Sequence, residues 1–536
     1  MKLRRFLSCM MALLLVCSLP VSALAAEYDL AQGSIKVEAD TSGQYVTQEA
    51  QGINRQEDAN PVITQTTGTE TKNTVTIEVE AGAEANVTIQ DVNIVNSDPV
   101  DAPQNHSGEA AVTIDVAEGA EANVTLDGVN IDVSGTGKYG NTAYSGEAAV
   151  QITGNGNVTL ELDGENTLQS GSNRAGVEKN DATGTGELTI TDETGTSGSL
   201  EATGGIYGAG IGGGREGDGS NITITGSAEV TATGGDDGGS GIGGGYSGSG
   251  SDITIEGSAE VTAQGGVKGS GIGGGAYGSG SNITISGSAE VTAQGTDGGA
   301  GIGGGEGDTG SDITITGSAE VIAKGGNAGS GIGGGAVESG SNITISGDAQ
   351  VKVQGGEAFQ WGVWFYGKGA AIGDGGAAQK NAYPDPGAEV DPDICKLTPN
   401  GRIEYYAPGA DMETDAPYKI VTGTYGLSQP AEPAQPLYRV IGQDGKAVAC
   451  KEARTSGVLT ITVEADFATL TGSISGMKTL KAQGVDTIVF VTNGATSTFA
   501  LADLLAQDGD SYALTHDGET VTFTLGNGTD ISKILK

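Results

Sequence analysis

The stretch SNITISGSAEVTAQG at residues 281–295, followed by GAGIGGG at residues 299–305, decides the fold. Apolar and polar side chains alternate along its first part, which is the period-2 pattern of β-strands. Ile283 and Ile285 belong to the apolar set, and Val291 continues that set after a Gly-Ser turn. The sequence therefore predicts two short strands that each bury one side.

The same unit returns about every thirty residues. The isoleucine of the GIGGG motif stands at Ile211, Ile242, Ile272, Ile302 and Ile332, with a degenerate copy, AIGDG, at Ile372. Three short strands per repeat, in register, are typical of a parallel β-helix whose equivalent residues stack about 4.8 Å apart. We expect the motif to be a tight corner, where glycine supplies positive φ and close backbone approach. A phosphate-binding loop would occur once, between a strand and a helix, and calcium nonapeptide repeats have a period of nine.

Three columns of stacked side chains are predicted to fill the core. They are Ile222/Ile253/Ile283/Ile313/Ile343, Val230/Val261/Val291/Val321/Val351 and the GIGGG isoleucines. Two polar columns are predicted to face outward. They are Asn221/Asp252/Asn282/Asp312/Asn342 and Thr223/Thr254/Thr284/Thr314/Thr344.

Looser copies precede the regular array. NVTIQDVNI at Asn86, NVTLDGVNI at Asn123 and NVTLELDGENTL at Asn157 are spaced 37 and 34 residues apart. We predict one solenoid over residues 70–376, with residues 26–69 as its N-terminal cover.

The composition changes after Gly376. Residues 377–436 are predicted to be a Pro-rich, acidic linker with short strands, and residues 437–536 a small α+β module. In this module the pattern predicts a hairpin with a type I′ turn at Asn493-Gly494. His516, within THDGE, is interpreted as a turn residue.

The first residues predict export. Residues 1–25 have a basic start, an apolar run and small residues at Ala23 and Ala25, which is the layout of a signal peptide. A lipid anchor on Cys17 is the alternative. No later apolar run is long enough to span a membrane.

Charge and cysteine content narrow the partners. Removal of residues 1–25 leaves 23 basic and 68 acidic residues, a net charge of −45. Such a chain repels nucleic acid and anionic membranes, which leaves cations, neutral glycans and basic proteins as partners. Cys395 and Cys450 remain, and a disulfide between them is one option in an exported protein.

The succession VTLELDGENTLQSGSNRAGVEKND, GELTITDETGTSGSLEATGG and repeated GAGIGGG resembles a family of secreted bacterial β-helix proteins. These are often described as carbohydrate-binding-domain-containing, within the pectate-lyase-like superfold. The resemblance covers residues 70–376. It implies an all-β fold, a single-stranded right-handed parallel β-helix followed here by the small α+β domain. It also implies extracellular glycan association, and it assigns no catalytic residue.

An outward column of carboxylates is one candidate site. Its members are Glu229, Glu260, Glu290 and Glu320, followed by Gln350. Neighbouring charges about 4.8 Å apart repel by about 0.9 kcal/mol even in water. Binding of calcium along the column is one interpretation, and splayed, hydrated side chains are the favoured alternative.

The break in the period is the stronger candidate. The interval from Ile332 to Ile372 is 40 residues instead of 30 and contains EAFQWGVWFYGKG. The candidate carbohydrate-binding residues are Trp361, Trp364, Phe365 and Tyr366, extended by Tyr246 and Tyr277 near the corners. Aromatic rings can stack on sugars. A cap for the last coil is the favoured structural explanation, and both roles are compatible.

Three functions follow from these observations. The first is a secreted, non-catalytic protein that binds an extracellular polysaccharide or cell-surface component, such as an adhesin. The second is a polysaccharide lyase or hydrolase, for which Arg215 beside Glu216 and Asp218 is suggestive, although a solvated charged corner is the simpler interpretation. The third is a purely structural stalk.

Overall fold

The computed structural model describes residues 26–536 in two compact units, divided between Ser428 and Gln429. It leaves out residues 1–25, 67, 97–109, 140–141, 144, 181–185, 383, 395, 424–437, 444–445, 447, 449, 456, 483–484, 508–510 and 527. The first unit is a parallel β-helix and confirms the predicted fold.

Each coil of the solenoid contributes to three parallel sheets, here called face 1, face 2 and face 3. Face 1 contains Glu27–Asp29, Val62–Thr64, Glu84–Gln90, Glu121–Asp127, the first half of Asn157–Gln169, Leu188–Thr191, Gly219–Ile224, Gly250–Ile255, Gly280–Ile285, Gly310–Ile315 and Gly340–Ile345. Face 2 contains Asn93–Val95, Asn130–Asp132, the second half of Asn157–Gln169, Gly198–Thr203, Glu229–Thr233, Glu260–Gln264, Glu290–Gln294, Glu320–Lys324, Gln350–Gln354, Arg402–Tyr406 and Lys419–Thr422. Face 3 contains Ile35–Asp40, Gly43–Gln48, Ile53–Glu57, Val75–Val79, Val112–Val116, Val150–Gly154, Val177–Lys179, Ile211–Gly212, Ile242–Gly243, Ile272–Gly273, Ile302–Gly303, Ile332–Gly333 and Ile372–Gly373.

The predicted core columns are present. Ile253 pairs with Ile283 on face 1, and Val261 pairs with Val291 on face 2, each in a parallel register offset by one repeat. All members of the three apolar columns are at most 3% exposed, and one continuous core runs through the unit. Because identical side chains stack on each other, one well-packed coil specifies the packing of the next.

Face 3 narrows to a two-residue strand at the tip of a tight loop. Within one such loop the Ser240 N–H donates to the Gly244 carbonyl at 2.9 Å, so Ile242 lies at the tip and points into the core. Gly243 has φ +126°, and a Cβ there would lie 2.1 Å from the Gly273 oxygen of the next coil. Both predicted reasons for glycine therefore apply at one residue.

The Asn/Asp column on face 1 marks a bend within each strand, at a residue that the pairing with the next coil skips. Asn221, Asp252, Asn282, Asp312 and Asn342 all have φ between 50° and 54°. Asn and Asp tolerate this left-handed conformation better than other residues with a side chain. Neighbouring members are also bonded, because the Asn282 amide donates to Asp252 and the Asn342 amide to Asp312. The bond from Asn342, followed by one from Ser311, lowers the pKa of Asp312.

One register differs from the sequence alignment. Asn86 pairs with Asn123, as the 37-residue spacing predicts, but Asn123 pairs with Thr159 and not with Asn157. A shift of two residues keeps the same side chains inside, so alternation alone cannot distinguish the two registers.

The N-terminal segment closes the first coil. Ile35–Asp40 pairs in parallel with Val75–Val79 and continues into an antiparallel hairpin. On face 1 the Gln44 amide extends the pairing of Val62–Thr64 with Glu84–Gln90, since Asn86 N–H donates to Gln44 Oε1 at 2.8 Å and Gln44 Nε2 donates to the Asn86 carbonyl at 3.0 Å.

Residues beyond the last coil close the other end. Arg402–Tyr406, within the segment interpreted as a linker, pairs in parallel with Gln350–Gln354 and then in antiparallel fashion with Lys419–Thr422. Tyr405 stacks on Val353 and is fully buried. The strands expected in residues 377–436 thus belong to the solenoid, where they cover its exposed core.

The described residues of the second unit form two four-stranded sheets and two helices. Its strands are Arg439–Ile441, Phe467–Ser473, Ser511–Asp517 and Thr520–Leu525 in one sheet, and Lys451–Thr455, Val458–Thr462, Thr487–Val491 and Thr496–Ala500 in the other. The helices are α1, Ile474–Ala482, and α2, Leu501–Leu505, with a 3-10 turn at Ser532–Ile534. They enclose a separate apolar core and agree with the predicted α+β class.

Two details of this unit correct the sequence analysis. The hairpin is present, but neither Asn493 nor Gly494 has positive φ, so its turn is not type I′. Gly494 instead permits close packing, because a Cβ there would lie 2.6 Å from the Gly518 oxygen. His516 is fully buried within a strand, bonded to Thr492 Oγ1 at 3.0 Å and Ser497 Oγ at 2.7 Å. Burial lowers its pKa.

Candidate functional site

The loop that presents the GIGGG isoleucine is flanked by two turns that meet outside face 3. We call residues 235–239 the entry turn of their coil and residues 244–249 its exit turn. The equivalent residues of every other coil are called its entry turn and exit turn as well. The exit turn of each coil bonds the entry turn of the preceding coil, as Tyr246 N–H does to the Tyr207 carbonyl at 2.8 Å. The same bond joins Glu306 N–H to the Lys268 carbonyl at 2.8 Å. The paired turns form a ridge along the solenoid.

Aromatic and charged side chains cover the ridge. We define the aromatic ridge as Tyr207, Arg215, Tyr246, Lys268, Tyr277, Glu306 and Trp361. The ring centroids of Tyr207 and Tyr246 are 5.2 Å apart, and those of Tyr246 and Tyr277 are 5.7 Å apart, both edge to face. Such geometry is favourable for aromatic pairs. An open depression of about 310 Å³ is lined by the three tyrosines together with Arg215, Asp237, Val267 and Lys268.

Glycines beside the ridge leave room for its side chains. A Cβ at Gly238 would come within 2.7 Å of the Tyr246 ring, and one at Gly307 would come within 3.2 Å of the Tyr277 ring. Gly298 has the same relation to Glu306, at 2.9 Å from its Cβ. These glycines therefore make room for ridge side chains as well as turning the backbone.

The ten-residue insertion forms a hairpin that rises from the last entry turn. Phe359–Trp361 pairs with Trp364–Tyr366, and Ala378–Lys380 from the following exit turn adds a third strand. Phe359 and Tyr366 stack at 4.5 Å, whereas Trp361 and Trp364 at the tip are 69% and 44% exposed. The hairpin is not the predicted cap, because residues 402–422 close the coil instead.

Lys268 joins the hairpin to the tyrosines. Its Nζ lies 5.8 Å from the Trp361 ring centroid and 5.4 Å from that of Tyr277, within cation–π range. It also lies 2.8 Å from the Glu306 carboxylate and donates to Tyr277 Oη at 3.1 Å. Burial acts to lower the pKa of Lys268, but the bonds to Glu306 and Tyr277 outweigh it and raise this pKa. The pKa of Tyr366 is also raised, mainly by burial and next by the nearby negative charge of Glu306.

The structure thus brings together candidates from separate parts of the sequence. Tyr246, Tyr277 and Trp361 share the aromatic ridge, while Trp364, Phe365 and Tyr366 belong to the adjoining hairpin. The sequence analysis missed Lys268 and Glu306. Their only sequence signal is register, since Lys268 stands at the turn position of Tyr207 and Glu306 at that of Tyr246, in each case two coils later.

The glutamate column is present on face 2. Glu229, Glu260, Glu290 and Glu320 pair in succession, and Gln350 and then Arg402 continue the column. An open groove of about 200 Å³ runs beside it. Among the described residues, no three His, Cys, Asp or Glu side chains gather so as to hold a metal ion. Calcium binding by this column stays a prediction.

Two further candidates from the sequence are the charged group around Arg215 and the disulfide between Cys395 and Cys450. Arg215 lies 5.1 Å above the Tyr207 ring and 3.4 Å from Glu216, which is a partly exposed surface arrangement. Asp218, beside it in sequence, accepts a bond from the Ser249 N–H at 2.7 Å. Cys395 lies outside the described residues, so the disulfide with Cys450 stays a prediction.

Comparison with known proteins supports the architecture. A family model described as "Beta helix repeat" matches residues 222–246, 253–276 and 283–306, which are three successive coils of the regular array. No curated protein and no solved structure matched the chain. In the part of the chain that the structure describes, no helix is long and apolar enough to cross a membrane.

Proposed function

We propose that this chain is a secreted, non-catalytic β-helix protein that binds extracellular carbohydrate through its aromatic ridge and the adjoining hairpin. The observation that carries the proposal is the exposure of Trp361 and Trp364 in a hairpin with no capping role. Secretion is part of the proposal, based on the residue pattern of 1–25.

The exposed tryptophans at the hairpin tip are the first reason to propose a binding site there. Val363, between them, is 50% exposed, so the tip is a continuous apolar surface. Contiguous exposed apolar surface is typical of binding sites. Indole and phenol rings offer flat apolar faces with a polar edge, which suits the alternating C–H faces and hydroxyls of a sugar.

The rigidity of the site also supports binding. The hairpin shares its sheet with Ala378–Lys380, and Lys268 contacts Trp361 from the ridge side. A ring already held in place loses little conformational freedom when a ligand binds. The same surface would suit an adhesin that holds a cell to a polysaccharide.

The test is retention on insoluble polysaccharides of plant, host and microbial origin. We expect the intact protein to be retained by at least one of them. Trp361→Ala and Trp364→Ala should each weaken retention roughly tenfold, because each removes a large stacking surface. The same incubations are assayed for new reducing ends and unsaturated products, which would indicate a hydrolase or lyase.

Gln379→Ala is the matched control, since it changes an exposed side chain of the same three-stranded sheet without removing a ring or part of the apolar tip. It should be retained like the unsubstituted protein. Retention that is equal in all variants would place binding elsewhere. Absence of retention on every polysaccharide would contradict the proposal and favour a structural stalk.

A further inference from the structure

We infer that the aromatic ridge takes an uncharged, linear polysaccharide whose chain lies parallel to the solenoid axis, with the hairpin tip contacting one end of the bound segment. This inference rests on the proposed function and adds the chemical class and the direction of the ligand. It is argued from the spacing, the surface and the charges of the ridge.

The spacing of the ridge sets the direction. Each coil advances about 4.8 Å along the axis, and the three tyrosine centroids are 5.2 and 5.7 Å apart. One pyranose unit of an extended glycan has a comparable length. A chain parallel to the axis can therefore meet one ridge residue per sugar, whereas a chain across the ridge can meet only one coil.

The hairpin extends this track. It rises from the entry turn that begins at Gly356, yet Trp361 contacts Lys268, three coils earlier along the column of entry turns. The hairpin therefore folds back along the ridge. The exposed rings of Trp361 and Tyr277 thus both lie within cation–π range of the Lys268 ammonium group, so the hairpin tip adjoins the end of the tyrosine row.

The charges of the ridge set the class of sugar. Lys268 is paired with Glu306 at 2.8 Å, and Arg215 with Glu216 at 3.4 Å, while Asp237 adds a further carboxylate to the lining. Both cations of the ridge are thus compensated. A uronate or sulfated chain would be repelled by these carboxylates. It would also be repelled by the negative charge of the whole protein, which has 23 basic and 68 acidic residues after residue 25.

The experiment compares soluble neutral and acidic glycans at equal molar mass. The full-length protein is titrated with mixed-linkage β-glucan, glucomannan and xylan, and with polygalacturonate and alginate, at low and high salt. We expect binding only to neutral chains, changed less than twofold by salt. Tyr277→Ala and Tyr246→Ala should weaken it roughly tenfold and severalfold, respectively. Tyr418→Phe, outside the ridge, should have no effect.

A series of oligosaccharides from the polymer that binds tests the direction. Affinity should rise with each added sugar up to about the number of coils from Tyr207 to the hairpin tip, and then stay constant. A plateau at the disaccharide would overturn the axial direction, although the proposed function would stand.

Two other outcomes separate the inference from the proposed function. Salt-sensitive binding to polygalacturonate or alginate that is lost in Tyr277→Ala would overturn the neutral class and leave the proposed function intact. Binding to neither class, with binding instead to a basic protein or to vesicles, would overturn both.

Discussion

Faces 1 and 2 and the aromatic ridge share one thirty-residue period, yet they use it in opposite ways. On the faces the same residue returns in each coil, as with Ile253 and Ile283, and its side chain packs on its own copy. On the ridge the backbone bonds repeat, but equivalent positions hold a tyrosine, an alanine or a glutamate. Repetition therefore belongs to the scaffold, and departures from it mark positions at which function can be placed without disturbing the core.

The largest effect should come from breaking a face column. Ile283→Asp places a carboxylate in a fully buried stack, and we expect a loss of more than about 4 kcal/mol in the free energy of unfolding. Circular dichroism during urea unfolding measures it. Thr284→Asp, on the outside of the same strand, is the control and should cost less than about 1 kcal/mol. Equal effects would contradict the stacked core.

A smaller loss should follow from adding a side chain to a glycine of face 3. Gly243→Ala combines positive φ with a contact of 2.1 Å to the Gly273 oxygen, and we expect about 3 kcal/mol of destabilisation. Gly52→Ala is the matched control, because Gly52 has φ +70° with open space around its Cβ position. It should cost only about 1 kcal/mol. If both cost the same, close approach of the coils is not what requires Gly243.

The smallest effect concerns repeated charge on face 2. Glu290→Gln removes repulsion from Glu260 and Glu320, so thermal unfolding at low salt should shift upward by the equivalent of about 1 kcal/mol and the gain should vanish at high salt. Glu118→Gln, an exposed acid outside the column, is the control. A bound divalent cation would reverse the sign: the substitution would then destabilise the protein, and a chelator would do the same to the unsubstituted chain.

The sequence predicts the faces well because their signal is periodic. Alternation and spacing identify the buried columns, the glycine corners and the parallel pairing without reference to any contact. The same periodicity cannot predict the strand register where a two-residue shift leaves the alternation unchanged, as in the pairing of Asn123 with Thr159. Alternation reports which side of a strand is buried, and a two-residue slip leaves that unchanged.

The site is predictable only in part. Tryptophan content and the longer interval identify the hairpin, but the pairing of entry and exit turns depends on backbone bonds that composition does not reveal. Lys268 and Glu306 therefore carry only their register as a sequence signal, and their ion pair in the structure shows that they belong together. The prediction of a turn at His516 is wrong for a related reason: the residues around it are polar, and the sequence does not show that Thr492 and Ser497 form hydrogen bonds with its buried ring.

The hairpin leaves the coil and returns to it at the same place. Gly369 N–H donates to the Gly356 carbonyl at 3.0 Å, just as Gly329 N–H donates to the Gly326 carbonyl at 2.7 Å in the coil before, although thirteen residues separate the first pair and three the second. The entry turn thus accepts an insertion of about ten residues without a change in the path of the coil on either side of it. The entry turns that end at Gly208, Gly269 and Gly299 are closed by the same backbone bond, so peptides inserted there would be displayed at chosen positions along the solenoid.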